Sequence, residues 1–308
     1  MNIDTNATTP KLPLPIDRRP VRMVNCFNGD LNDPLRRAPW WAGDEWRAGF
    51  ASRLETAYNQ GYRRFMLILP AGHPQGQHLM PSSQWLTLPD ERREWLLDWL
   101  PAWIAAHRGA TVYVYMGFAL AEPTSLVMPS QAGAQTPSIL DNWPWFQANL
   151  RGLIDCGVTG FGFDNASNPK HVASFVETAR VLSIAGIKCI GEAIPTQELG
   201  ADRLVQPSNE RFQAPFFALD QFIEQRDPER RWRFNPRTTE CGVGLRASMK
   251  IAGQDARVPV TEELIRNFVQ RGLIPYVYAS KWDEVVMQTE RERLATDPPA
   301  SDDTGDAG

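Results

Sequence analysis

Cys156-Gly157-Val158-Thr159-Gly160-Phe161-Gly162-Phe163-Asp164-Asn165, followed by Gly191-Glu192-Ala193, is the stretch that decides the fold. Each half reads as a short apolar strand that ends in a carboxylate. The segment between them, Pro169 to Gly186, is long enough for one helical crossover. Strand, acid, helix, strand, acid is the pattern of a parallel α/β barrel, whose C-terminal mouth carries the chemistry.

Working outward, the chain offers eight apolar strands: Val21–Phe27, Arg64–Leu69, Thr111–Met116, Gly160–Phe163, Ile187–Ile190, Phe216–Leu219, Val243–Ser248 and Leu273–Tyr278. Most are nearly continuous apolar runs, as strands buried on both faces require. Helical patterns separate them. Asp44–Gln60 carries Trp46, Phe50, Leu54 and Ala57 on one stripe. Pro89–His107 carries Trp95, Leu96, Trp99, Leu100 and Trp103 at helical spacing. Trp143–Asp155, Pro169–Gly186, Thr261–Gln270 and Lys281–Leu294 follow the same logic, and Thr261-Glu262-Glu263 has the form of a helix start.

Eight strands alternating with helices predict a single (β/α)8 TIM barrel over residues 21–295, with long loops after strands two and three. Residues 1–20 form an extended N-terminal segment, and 296–308 an acidic tail with the composition of disorder.

Bulk composition narrows the function classes. Of the 308 residues, 43% are hydrophobic and 22% charged, so a sizeable core is affordable. A net charge of −4 with no basic stripe excludes an electrostatic case for nucleic acid. No apolar run approaches the ~20 residues of a membrane span. Met1 to Pro20 lacks the apolar core of a signal peptide, which predicts a cytoplasmic chain or one released without such a peptide. Cys26, Cys156, Cys189 and Cys241 are scattered without zinc or CxxC spacing and read as reduced thiols. The four histidines offer no metal-ligand spacing, and no phosphate loop or dinucleotide fingerprint is present, so neither metal nor cofactor is expected.

The chemistry-bearing candidates are the strand-end acids Asp164, Glu192 and Asp220. A carboxylate at the mouth of a barrel either works on a substrate or caps the next helix. Apolar neighbours raise the pKa of an acid such as Glu192, as a general acid near neutral pH requires. Asp220 competes with Glu192 as the partner of Asp164. Around them, Asn165, Tyr115, Arg246, Tyr278 and Lys281 stand at strand ends as substrate-binding candidates. Trp40, Trp41, Trp85 and Trp282 fall in or beside loops at the same end, where rings stack on the C–H faces of sugars. Trp95, Trp99 and Trp103 belong instead to a core stripe. Arg246, Ser248 and Lys250 alternate along strand seven and give it one polar face. Asp283 and Glu284 read as first-turn acids of the last helix.

Gly160-Phe161-Gly162-Phe163-Asp164 with Gly191-Glu192-Ala193 resembles the strand-four and strand-five motifs of α-amylase-type glycoside hydrolases. That resemblance implies Asp164 as nucleophile and Glu192 as acid/base. The family's Arg two residues before the nucleophile is Gly162 here, and its Asn-His and His-Asp motifs are absent. Phe163-Asp164-Asn165 also resembles the strand-four nucleophile of α-galactosidase-type barrels, which implies Asp220 as acid/base. Two carboxylates are the basic equipment for cleaving a glycosidic bond. The leading expectation is therefore a cofactor-free, retaining glycoside hydrolase acting on an oligo- or polysaccharide. The alternatives are a non-catalytic carbohydrate-binding or structural module within a larger assembly, and a lyase or isomerase using Lys250 or Lys281 as base.

Overall fold

The computed structural model describes residues 14–25, 45–68, 90–116, 152–163, 182–192, 215–218, 240–250 and 257–296. Eight strands join edge to edge: β1 (Val21–Asn25), β2 (Arg64–Ile68), β3 (Thr111–Met116), β4 (Val158–Phe163), β5 (Lys188–Glu192), β6 (Pro215–Ala218), β7 (Cys241–Leu245) and β10 (Ile274–Val277). Their order is β1-β10-β7-β6-β5-β4-β3-β2, and β2 returns to β1.

This ring is not the expected (β/α)8 barrel. Seven strands run parallel, but β6 runs against both neighbours, with Glu192 opposite Phe216 and Phe217 opposite Cys241. The physical reason lies in the strand itself. Pro-Phe-Phe-Ala is a four-residue apolar run, and periodicity carries no direction. A second departure follows β7. The expected strand Val243–Ser248 ends at Leu245, and a separate antiparallel hairpin takes over, β8 (Ser248–Lys250) with β9 (Arg257–Pro259). Arg246 therefore sits at the break, and the polar face expected for strand seven does not exist as one strand.

The other boundaries differ from the expected ones by a few residues. β4 starts at Val158 because its register against β3 shifts between Val112 and Tyr113, making room for the extra residue Thr159. Helices among the described residues include α1 (Glu45–Asn59), α2 (Asp90–Ala106), α3 (Glu262–Gln270) and α4 (Asp283–Thr296), with a 3-10 turn at Ser280–Trp282. Thr261 caps α3, its side chain accepting from the Leu264 N–H at 3.3 Å, and Glu262 and Glu263 occupy the first turn.

Helix stripes bury against the outside of the ring. Trp103 of α2 meets Phe65 of β2 edge-on at 5.4 Å, and Trp99 meets Phe50 of α1 at 5.7 Å. Phe50, Leu54, Phe65 and Leu100 are fully buried. Among the described residues no helix is long and apolar enough to cross a membrane.

The inside of the ring is packed differently. Phe65, a neighbour of Arg64, faces α2, so the two-residue period of a strand turns Arg64 and Met66 inward. Glycines make room for rings there. A Cβ on Gly160 would collide with Tyr113, and one on Gly242 with Tyr276 and the Ile274 carbonyl. A Cβ on Gly162 would lie 2.7 Å from the Met66 sulfur and 3.0 Å from Tyr115. Gly160 and Gly162 of the deciding stretch are thus the space that lets two tyrosines fill the lumen.

Candidate functional site

The N-terminal end of the ring is closed by charge. Arg64 opens β2, Lys188 opens β5 and Glu240 immediately precedes β7. These strands are not neighbours, so side chains that meet must cross the lumen. Glu240 accepts from both Arg64 and Lys188, and all three are buried. Residues 14–20 run beneath them. The Pro15 carbonyl accepts from Lys188 at 2.6 Å, the Asp17 carbonyl from Arg64 at 2.6 Å, and the Asp17 N–H donates to Glu240 at 3.2 Å. Arg19 grips the Asp17 carboxylate through Nη2 at 2.6 Å and Nε at 2.9 Å.

Burial works to raise the Asp17 pKa, but the Arg19 hydrogen bonds and the Arg64 charge outweigh it, so its carboxyl titrates below the ordinary 3.8. Burial also works against the Arg64 charge, but Glu240 more than compensates and holds the guanidinium protonated. Glu240 and Asp17 are each held by more than one partner from the fold, while Arg64 Nε is buried without a hydrogen bond, 3.7 Å from the Asp17 carboxylate. The cluster is a floor. No spacing in the sequence joins its members, which lie far apart in the chain.

A second buried ion pair lies outside the ring. Asp283 opens α4, with Arg22 Nε at 3.0 Å and the Tyr62 hydroxyl donating at 3.0 Å. Burial dominates and pushes its carboxyl above 3.8 despite these partners. Asp283 thus ties α4 to Arg22 of β1 and to Tyr62 just before β2, and it lies in the first turn of the last helix as expected.

The C-terminal ends of the parallel strands form the opposite end, and four of the expected binding residues meet there. β7 and β10 are hydrogen-bonded neighbours, Leu245 opposite Val277. The chain beyond them brings the Arg246 guanidinium over the Tyr278 ring at 4.6 Å. The Trp282 indole N–H donates to the Arg246 carbonyl at 3.1 Å, and the Lys281 ammonium lies 4.5 Å from the Trp282 ring centre. Trp282 is nearly buried at 8% exposure, which makes it a wall of this edge rather than a free stacking platform. Tyr115 lies one residue from the end of β3, buried at 9%.

Glu192 closes β5, paired with Phe216. β4 and β5 are adjacent and parallel, with Phe163 opposite Gly191. The next residues in the chain are Asp164 and Glu192. Asp164, Asn165, Asp220, Trp40, Trp41 and Trp85 lie outside the described residues. The ground for placing Asp220 at the mouth was the direction of strand six, and β6 runs the other way.

Cys156, Cys189 and Cys241 are buried thiols, none of them in a disulfide. Burial pushes the Cys156 thiol up to about 11 and the Cys241 thiol up to about 12, which suits inert core thiols rather than nucleophiles. Among the described residues no three His, Cys, Asp or Glu side chains gather into a metal-holding group. No protein-family model matches the chain, and no curated protein matches it either.

Proposed function

We propose that this chain is a glycoside hydrolase-like enzyme that cleaves an oligo- or polysaccharide with two carboxylates, Asp164 as nucleophile and Glu192 as acid/base. The observation that carries the proposal is the pairing of β4 with β5. They are parallel neighbours in register Phe163 opposite Gly191; Asp164 follows β4 in the chain and Glu192 closes β5. Ligands of parallel α/β sheets bind outside the carboxyl ends of the strands. Between the two acids, Glu192 is the better partner for Asp164, because the reversal of β6 takes away the ground for Asp220.

In a retaining mechanism Asp164 attacks the anomeric carbon while Glu192 protonates the departing oxygen. The covalent glycosyl-enzyme is then opened by water, with Glu192 now taking the proton. Such a pair stands about 5–5.5 Å apart. No cofactor enters this scheme. Three buried cysteines outside any disulfide support a reducing, cytoplasm-like compartment.

The experiment is sugar release from a broad panel of polysaccharides and aryl glycosides, run on wild type, Asp164→Asn and Glu192→Gln. The expected result is release by wild type that drops by a factor of about a thousand or more in Asp164→Asn, with thermal midpoints unchanged. A slow 2-fluoro glycoside should add one sugar mass to the Asp164 peptide. Folded wild-type protein that releases nothing from any substrate would replace this proposal with the non-catalytic binding module.

A further inference from the structure

We propose that the edge between β7 and β10 selects an acidic saccharide, one bearing a carboxylate or sulfate group, with Lys281 as the specificity-determining residue. The proposal deepens the carbohydrate reading above and rests on it for the location of the bound sugar.

The two strands are hydrogen-bonded neighbours whose C-terminal ends share one edge of the ring. Arg246 follows β7 directly, and Lys281 lies in the 3-10 turn just after β10. Two positive charges therefore stand on one edge of a chain whose net charge is −4. Their placement is held by structure rather than by long free side chains. The Tyr278 N–H donates to the Leu245 carbonyl at 3.1 Å, and its ring carries the Arg246 guanidinium. The Trp282 indole ties the turn to the Arg246 carbonyl and carries the Lys281 ammonium on its face.

Of the two acids nearest in sequence, Asp283 is engaged elsewhere, and no ion pair joins exposed Glu284 to Lys281 among the described residues. The Asp283 carboxylate is held by Arg22 and Tyr62. Among the described residues Lys281 has no carboxylate partner, and it is exposed. An ammonium on an aromatic face keeps donors for an incoming anion. A neutral sugar would make no use of this charge, whereas an anionic group on a bound saccharide would.

The test is calorimetric titration of the Asp164→Asn protein, which leaves each sugar intact, with a galacturonate trimer, a sulfated galactan oligosaccharide and a neutral galactan oligosaccharide. The expected result is that one of the acidic probes binds about five- to tenfold more tightly than the neutral one, as one charge-assisted contact allows. The preference should shrink with added salt, vanish in Lys281→Met and survive in Lys281→Arg. Which acidic probe wins distinguishes carboxylate from sulfate. Equal affinity for acidic and neutral probes, no binding of any probe, or a preference that persists in Lys281→Met overturns the proposal. Acidic preference in a protein whose wild type cleaves nothing on the panel would leave this assignment standing and remove the catalytic one.

Discussion

At its N-terminal end the strand ring is shut by ions, and at its C-terminal end the same ring presents cations on aromatic faces. Glu240 at the floor is buried and bridges Arg64 and Lys188 across the lumen, beneath which the strap of residues 14–20 is drawn tight by its own carbonyls. Lys281 at the mouth is exposed and rests on Trp282. The difference teaches how one fold separates two uses of charge. A charge that is buried and ion-paired specifies structure, since removing either partner strands the other in low dielectric. A charge with open donors can exchange its contacts for a ligand's.

The comparison breaks or sharpens on a few measurements. Glu240→Gln should have the largest effect, since it leaves Arg64 and Lys188 without their shared anion. Urea unfolding is expected to show a loss of about 3–5 kcal/mol. A loss as large in Asp164→Asn would erase the contrast, because the proposed role of Asp164 is expected to change sugar release and not the unfolding midpoint.

Gly242→Ala comes next. Its methyl group would meet Tyr276 and the Ile274 carbonyl, and the backbone carbonyl cannot step aside. Overpacking of this kind costs about 1–3 kcal/mol, visible as a lower thermal midpoint. An unchanged midpoint would mean that the lumen yields more easily than its ring packing implies.

The smallest effect is on the pH dependence of stability. The folded Asp17 carboxyl titrates below 3.8. Its contribution is therefore fully present above that value and lost as the pH falls through the lower folded value. Asp17→Asn should flatten the acid limb of the stability curve below about pH 4. Asp283 has the opposite sign. Burial raises its folded value, so its share is present below 3.8 and lost as the pH rises. If Asp17→Asn steepened the acid limb instead, the Arg19 and Arg64 contacts would not be holding the carboxylate ionised.

Much of this architecture was legible residue by residue. Thr111–Met116 was bounded correctly because an apolar β-branched and aromatic run is flanked by turn residues. Thr261 was recognisable as a helix start from the acids that follow it. The Trp99 and Trp103 stripe declared itself by spacing, and both rings pack on the core. The pairing of β4 with β5 was readable because a helix-length crossover between two apolar runs returns the chain parallel to itself.

Three things were not legible, each for a reason of its own. The direction of β6 was hidden because a short apolar run looks the same from either end. The break after Leu245 was hidden because Arg246, Ser248 and Lys250 keep a strand's alternation across it. The floor was hidden because Asp17, Arg64, Lys188 and Glu240 are far apart in the chain and become partners only when the ring closes.

The sequence by itself determined most of where the described chain is extended or helical, and that β5 ends in an acid, because these depend on local periodicity and on residues within a few positions of one another. The tertiary structure alone decided strand direction, the replacement of a (β/α)8 barrel by a ring with one reversed strand, and which charges neutralise each other. Those depend on closure, which brings distant residues into a low-dielectric lumen where every charge must find a partner.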